Sequence, residues 1–285
     1  MSQGADIARA LATAVYRLEQ VSDSPELDAA LLLAHVLKKP RSYLISHREK
    51  RLSGAQQRDF NSVIARRARG EPVAYIEGFR EFWSLRLAVT PDVLIPRPET
   101  ETLVERALRI IPPGADWTVA DLGTGSGAIA LAVASERPRC RIIATDISPD
   151  ALSVAAGNAR LHRLDNVTFR VGDWCGALRG DRIEVLLSNP PYIREGDPHL
   201  SAPSLGFEPR RALVAPGSGM RWLRDIIAHA GECLIPGGHI VLEHGADQAY
   251  AVRDMLIEHD FADPGHEADL AGHARISFAR RRDGS

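Results

Sequence analysis

The chain has 285 residues, long for one domain and sufficient for two. Its 45% hydrophobic and 25% charged residues make an ordinary globular composition, which excludes a disordered or collagen-like chain. The net charge of −2 is unevenly spread: residues 1–73 hold 12 Lys and Arg against 8 Asp and Glu, leaving the rest acidic, and neither part has the basic face of a strong duplex-DNA binder.

In chain order, residues 5–21 place Ile7, Leu11, Val15 and Leu18 near helical spacing. Ser24-Pro25 predicts a second helix, with a serine cap and proline at its first position, and an apolar face through Leu27, Leu31, Leu32 and Val36. Ser53 caps a third, with Phe60, Val63 and Ile64 inward, and Gly70 ends it. Residues 1–73 therefore read as a small helical bundle, expected to hold a protein substrate. Its basic excess either suits a partner with negative surface or is charge drift over a small domain. Arg66-Arg67-x-Arg69 either contacts that partner or is a solvated face at a helix C-terminus. Residues 74–95 alternate and carry Tyr75, Phe79, Phe82, Trp83, Leu87 and Val89, which predicts a β-hairpin linker to a domain spanning 96–285.

From Glu99 a helix runs through Leu103, Val104, Ala107 and Leu108, and then strands and helices alternate. Strands are predicted over 117–122, 140–146, 166–171, 182–188 and 238–243, and helices over 127–136, 149–162, 219–234 and 247–258. This alternation means an α/β domain, a parallel sheet covered by helices on both faces. Segments 261–267 and 273–280 lack an intervening helix and read as an antiparallel pair at the sheet edge.

Four strand ends carry the chemistry. After the first, Asp121-Leu122-Gly123-Thr124-Gly125-Ser126-Gly127 leads into a helix. Its glycines allow positive φ and close backbone approach, and the helix N-terminus offers free N–H groups. After the second stands Asp146, roughly 20 residues beyond the glycines, where a nucleotide-binding βαβ unit keeps its ribose ligand. Alternatively, Asp146 only caps the helix at Ser148-Pro149. The glycine spacing departs from the dinucleotide G-x-G-x-x-G by one residue. After the third strand stand Asp173-Trp174, and after the fourth Asn189-Pro190-Pro191-Tyr192. Prolines there must stop the ladder. They leave a side-chain amide and a proline carbonyl beside an aromatic ring. Such a loop either merely ends a strand or holds a planar –NH2 group by its two hydrogens.

Cys140, Cys175 and Cys233 have no C-x-x-C spacing, which argues for a reducing compartment and against disulfides or structural zinc. The ten histidines form no ligand cluster, and His239 and His244 read as packing or surface residues. No metal is expected. Met1 to Asp6 lacks a basic n-region, and no apolar run approaches about 18 residues. A cytoplasmic protein with no signal peptide and no membrane span is therefore expected.

The motifs occur in the order seen in class I methyltransferases, and the chain resembles the protein-(glutamine-N5) methyltransferases that modify peptide chain release factors. Further segments carry the resemblance: Gly70-Glu71-Pro72-Val73-Ala74-Tyr75-Ile76-Glu77-Gly78, Glu81-Phe82-Trp83, Leu94-Ile95-Pro96-Arg97-Pro98-Glu99-Thr100-Glu101, Phe207-Glu208-Pro209-Arg210-Arg211-Ala212-Leu213 and Asp269-Leu270-Ala271-Gly272. Two places depart from it: Ser218 stands where that family usually has Asp, and His273-Ala274 where Asp-Arg is common. The resemblance implies a Rossmann-like seven-stranded sheet, mostly parallel with an antiparallel last strand. It implies S-adenosyl-L-methionine as methyl donor and the glutamine of a release factor's Gly-Gly-Gln motif as acceptor. A monomer is expected, and the lack of a target-recognition module or basic face argues against a stable nucleic-acid partner. Gly123, Thr124, Gly125, Ser126 and Gly127 would pass under the donor's methionine part and ribose. Asp146 would take both ribose hydroxyls, and Asp173 the adenine edge. Trp174 would line or stack on adenine, unless it only fills the core. Asn189 and the Pro190 carbonyl would accept the two amide hydrogens, with Asn189 also at the donor; Pro191 and Tyr192 would line the amide. Arg97 is a candidate for the donor's carboxylate or for substrate. The same chemistry would serve a ribosomal-protein glutamine, and Asn-Pro-Pro-Tyr also serves adenine-N6 and guanine-N2 methyltransferases.

Overall fold

The structure is a computed structural model and describes residues 4–283. These pack as two units: one holds the described residues through Phe79 together with Pro198–Phe207, the other Arg80–Asp197 and Glu208 onward.

The first unit contains helices α1 (Ile7–Leu18), α2 (Pro25–Leu37), α3 (Arg41–Ser46), α4 (Gly54–Arg67) and α5 (Val73–Glu77). The Asp6 carboxylate caps α1 by accepting from the Arg9 N–H at 2.8 Å. Ser53 and Gln56 cap α4 reciprocally, each side chain accepting from the other's backbone N–H. The core is built from Ile7, Leu18, Leu32, Leu33, Phe60 and Ile64. Two findings differ from the sequence reading. Residues 74–77, expected to be extended, fall in α5 (Val73–Glu77), stopped by Gly78 at φ 80°. Five residues are too few for a helical period to be told from alternation. The basic run is also already engaged: Arg67 pairs with Asp28 at 2.6 Å and Arg66 with Glu71 at 2.5 Å. The sequence placed both arginines on a solvated face or a partner surface because Asp28 lies 39 residues away from Arg67.

A hairpin follows, β1 (Phe79–Phe82) and β2 (Leu85–Ala88). Its two turn residues, Trp83 and Ser84, both have positive φ, as a two-residue type I′ turn requires.

In the second unit, α6 (Glu101–Ile110) leads into a seven-stranded sheet. Strands β3 (Thr118–Leu122), β4 (Arg141–Asp146), β5 (Val167–Val171) and β6 (Ile183–Ser188) alternate with α7 (Ala128–Glu136) and α8 (Pro149–His162). A two-residue parallel pair, β7 (Ile193–Arg194) and β8 (Val214–Ala215), follows β6. Then come α9 (Arg221–Cys233), β9 (Leu234–Glu243), α10 (Ala249–Glu258), β10 (Phe261–Ala268) and β11 (Ala274–Arg281). The order is β10-β11-β9-β6-β3-β4-β5. Neighbours from β9 to β5 are parallel, and β11 runs antiparallel to both strands beside it. The last strand thus inserts between β9 and β10, and the antiparallel β10–β11 pair closes one edge of the sheet, as expected. Alternate side chains serve opposite faces. Val119, Val185 and Val241 pack with α6 and α7, whereas Ala120, Leu186 and Ile240 pack with α9 and α10. The strand order reverses between β3 and its neighbours β4 and β6, which opens a crevice at their carboxyl ends.

No helix among the described residues is long and apolar enough to cross a membrane. Those residues contain no cluster of His, Cys, Asp and Glu able to hold a metal.

Candidate active site

The crevice holds a cavity of about 630 Å³, within the usual size of small-molecule sites. Gly123 and Gly125 form its floor, Asp146, Asp173 and Trp174 line it, and Asn189 and Pro191 complete that side. Asp92, Glu195, Arg210 and Arg211 also reach it, so four carboxylates face two guanidiniums.

The glycine turn is held open from behind. Gly123, Gly125 and Gly127 have φ of 70°, 57° and 88°. A Cβ on Gly123 would come within 3.3 Å of the Trp174 ring, so only glycine lets the indole close over the turn. Thr124 and Ser126 are buried and do not line the cavity. Asp121, at the end of β3, accepts from the Thr124 hydroxyl at 2.6 Å and the Ala130 N–H at 3.2 Å. Burial pushes its carboxyl up to about 7, and nearby Asp146 adds to the rise. Asp146 itself spans turn and helix: Oδ2 accepts from Gly125 N–H at 3.0 Å and Oδ1 from Ser148 N–H at 2.9 Å. Ser148, not Asp146, caps α8, accepting from Ala151 N–H. Asn158, on α8, fastens the same turn to the hairpin through Ser126 and both backbone groups of Ala88.

The Asn189-Pro190-Pro191-Tyr192 loop is fixed on three sides. Asn189 Nδ2 donates to Thr100 Oγ1 at 3.1 Å. Pro190 is buried, and neither it nor Tyr192 lines the cavity. The Tyr192 hydroxyl donates to Glu243 Oε1 at 3.2 Å, and its carbonyl accepts from Gln248 Nε2 at 3.1 Å. Gly219 lies against this loop with φ 83°; a Cβ there would meet the Tyr192 carbonyl oxygen at 2.3 Å. Glu243 is fully buried, and burial pushes its carboxyl up to about 7, opposed by Thr100, Arg275 and Tyr192. Burial and the adjacent Glu243 raise the Tyr192 hydroxyl above its ordinary range.

Arg97 does not join the cavity. It pairs with Glu208 at 2.5 Å, and Glu208 also accepts from Ile95 N–H at 3.1 Å. Arg210 and Arg211 stand in the cavity wall instead, Arg211 donating to Ser148 Oγ at 2.7 Å. Sequence reasoning singled out none of Asp121, Asn158, Glu243 and Gln248 as functional. A signal existed for Asp121, the acid opening the glycine turn, and for Glu243, a charged residue ending an apolar strand.

Comparisons with known proteins identify the family of the chain. The PrmC N-terminal domain family matches residues 9–78, and a methyltransferase domain family matches residues 114–254. The chain is 47% identical over 260 residues to the release factor glutamine methyltransferase of Aliivibrio fischeri, covering 91% of each chain. It is 44% identical over 261 residues to the protein of that name from Escherichia coli K12, covering 92% of this chain and 94% of that one. A solved methyltransferase from Pyrococcus furiosus shares the fold, with TM-score 0.52 and 17% identity over 70% of this chain and 89% of that one. With such identity over nine-tenths of its length, the chain belongs to the release factor glutamine methyltransferase family.

Proposed function

We propose that this chain moves a methyl group from S-adenosyl-L-methionine to the side-chain amide nitrogen of a glutamine in a peptide chain release factor. The observation that carries the reading is the pose of Asn189. Its Nδ2 donates to Thr100, which fixes the amide and leaves Oδ1 as the acceptor for a substrate N–H at the wall of the cavity. The names borne by the relatives support the choice of release factor.

The cavity fits the donor chemically. Gly123 leaves room beside Trp174 that a side chain would fill, Asp146 offers carboxylate lone pairs for a diol, and the excess of carboxylates suits a cation. Bound there, the donor supplies a methyl already electrophilic on a sulfonium. Gly123 and Gly125 approach the ligand with backbone, Asp146 takes ribose hydroxyls, and Asp173 and Trp174 take the adenine. Thr124, Ser126 and Gly127 support the turn from behind. Arg97 holds Glu208 and the Ile95 segment rather than the donor.

A glutamine amide is a weak nucleophile because its lone pair is delocalised into the carbonyl. Asn189 Oδ1 and the Pro190 carbonyl accept its two hydrogens and aim the nitrogen. Both stabilise the positive charge that grows on nitrogen as the N–C bond forms, and preorganised groups of this kind are worth roughly 10²–10³ in rate each. The methyl–sulfur bond breaks as the N–C bond forms, its electron pair staying on sulfur as a neutral thioether, and the nitrogen then gives one proton to solvent, which restores the amide. Pro191, in the cavity wall, packs beside the planar amide and excludes water, with Tyr192 behind it held by Glu243 and Gln248. The N-terminal helical unit takes the protein substrate. Its own hollow of about 480 Å³ is walled in part by Arg9, Arg17 and Arg51.

Transfer of labelled methyl from the donor is to be measured onto a release factor, a ribosomal-protein mixture and DNA. Label on a release-factor glutamine is expected. Label only on ribosomal protein or DNA overturns the substrate, and no transfer to any of them overturns the activity.

A further inference from the structure

We infer that Glu243 is a positioning residue for methyl transfer: through Thr100, its buried carboxylate decides which end of the Asn189 amide faces the cavity. This rests on the reading of Asn189 given above.

Glu243 ends β9, which lies beside β6 with Ser188 opposite Leu242. The next residue on each strand is therefore Asn189 and Glu243. Thr100, the residue before α6, is buried at 4% exposure, and Glu243 is at 1%. The Thr100 oxygen accepts from Asn189 Nδ2. A threonine hydroxyl has one hydrogen and a carboxylate has none. Thr100 interacts with the Glu243 carboxyl and favours its charged form. Oε1 already accepts from Tyr192, whereas the buried Oε2 has no hydrogen-bond partner. The Thr100 hydrogen turned toward Oε2 gives that oxygen the donor it lacks.

Polarity then runs one way, from Asn189 N–H to Thr100 and from the Thr100 O–H to Glu243. An Asn189 amide rotated by 180° would set its oxygen against the Thr100 oxygen. Thr100 could answer only by withdrawing its hydrogen from the carboxylate, leaving a buried charge short of a donor. An ionised Glu243 thus keeps Asn189 Oδ1 toward the cavity, as an acceptor for the glutamine amide requires.

A protonated Glu243, or a glutamine in its place, can donate as well as accept and removes this constraint. The other groups acting on the carboxyl are Tyr192, Arg275 and Glu99. Arg275 is itself paired with Asp269 at 3.1 Å. His244, next in the chain, turns its ring to Ser277 and its own carbonyl neighbour Gly245. Burial raises the Glu243 carboxyl to about 7, so the switch between forms falls in an accessible pH range.

The test uses full-length protein and a release-factor substrate. Single-turnover rate and donor affinity are measured from pH 5.5 to 9 for the parent and Glu243→Gln. In the parent, the rate is expected to fall with one proton as pH drops below about 7. Glu243→Gln, nearly isosteric, should lose on the order of 10-fold or more at high pH, keep its donor affinity within about twofold, and lose the acid limb. Thr100→Val should lose as much, and Thr100→Ser, which returns the hydroxyl, should recover most of that loss; this pair decides the matter if Glu243→Gln fails to fold. A Glu243→Gln rate within twofold of the parent, or an unchanged acid limb, overturns the inference.

A second readout does not need activity. The Asn189 side-chain NH2 resonances should shift with pH near 7 in the parent and stay fixed in Glu243→Gln. Resonances that ignore pH in the parent overturn the inference even if methyl transfer is seen. Resonances that respond while no glutamine is methylated uphold the hydrogen-bond polarity and overturn the function reading instead.

Discussion

Asp146→Ala is the sharpest test of the donor site. In the parent, each carboxylate oxygen already holds one backbone N–H, from Gly125 at 3.0 Å and from Ser148 at 2.9 Å. Each has a further lone pair, and Asp146 lines the cavity. The alanine therefore removes two bonds that shape the turn and two that would reach a ribose diol. Charge-assisted hydrogen bonds are worth about 1.5–3 kcal/mol each, less what water returns in an open site. The expected loss of donor affinity is thus roughly 2–4 kcal/mol, or about 30- to 1000-fold in Kd. The fold should suffer less, about 1–2 kcal/mol, because water can reach the freed N–H groups at the cavity wall. Calorimetric titration reads the first quantity and denaturant unfolding the second. A folded Asp146→Ala protein whose donor Kd stays within twofold of the parent would refute the reasoning, and so would equal or tighter binding of NAD by the parent.

Asn189→Ala is expected to lower kcat by on the order of 10²-fold or more with little change in donor affinity. Asn189→Asp, which keeps an acceptor but not the NH2 that binds Thr100, should retain measurable activity; an alanine variant within threefold of the parent would mean that the loop only ends a strand. Replacing Arg9, Arg17 and Arg51 together by Glu should raise KM for intact release factor and leave transfer to a short glutamine peptide unchanged. A KM for intact release factor unchanged from the parent would remove the helical unit from recognition. Substitution serves better here than deletion of the unit, because residues 198–207 pack with it and would lose their support. Asp121 and Glu243 are both raised by burial to about 7. The stability each contributes is full below its unfolded pKa, about 4, and is lost as pH rises through about 7, on the order of 3 kcal/mol apiece. Urea unfolding of Asp121→Asn and Glu243→Gln should therefore show a smaller fall than the parent between pH 4.5 and 8; parallel curves would show that these carboxyls ionise as readily folded as unfolded.

Much of this protein was legible in its sequence because the relevant signals are local. Each sheet strand from β3 to β6 is a short segment rich in β-branched residues that ends in a motif, and the strand direction alone sends all four motifs to one edge. Glycines at Gly123, Gly125 and Gly127 announce positive φ, and two prolines after Asn189 announce the end of a ladder. Tertiary structure decided everything that depends on a partner distant in the chain. Arg67 finds Asp28 and Arg97 finds Glu208, so neither is left for a ligand in the way its neighbours in sequence suggest. Val73–Glu77 becomes a helix because burial of Tyr75 and Ile76 outweighs a short alternating pattern. Thr100 and Asn189 are 89 residues apart, and Glu243 lies 51 beyond Tyr192. No periodicity or spacing encodes such a pairing; it exists only once the β6 and β9 ends stand side by side in a dry interior, where each buried donor must find an acceptor.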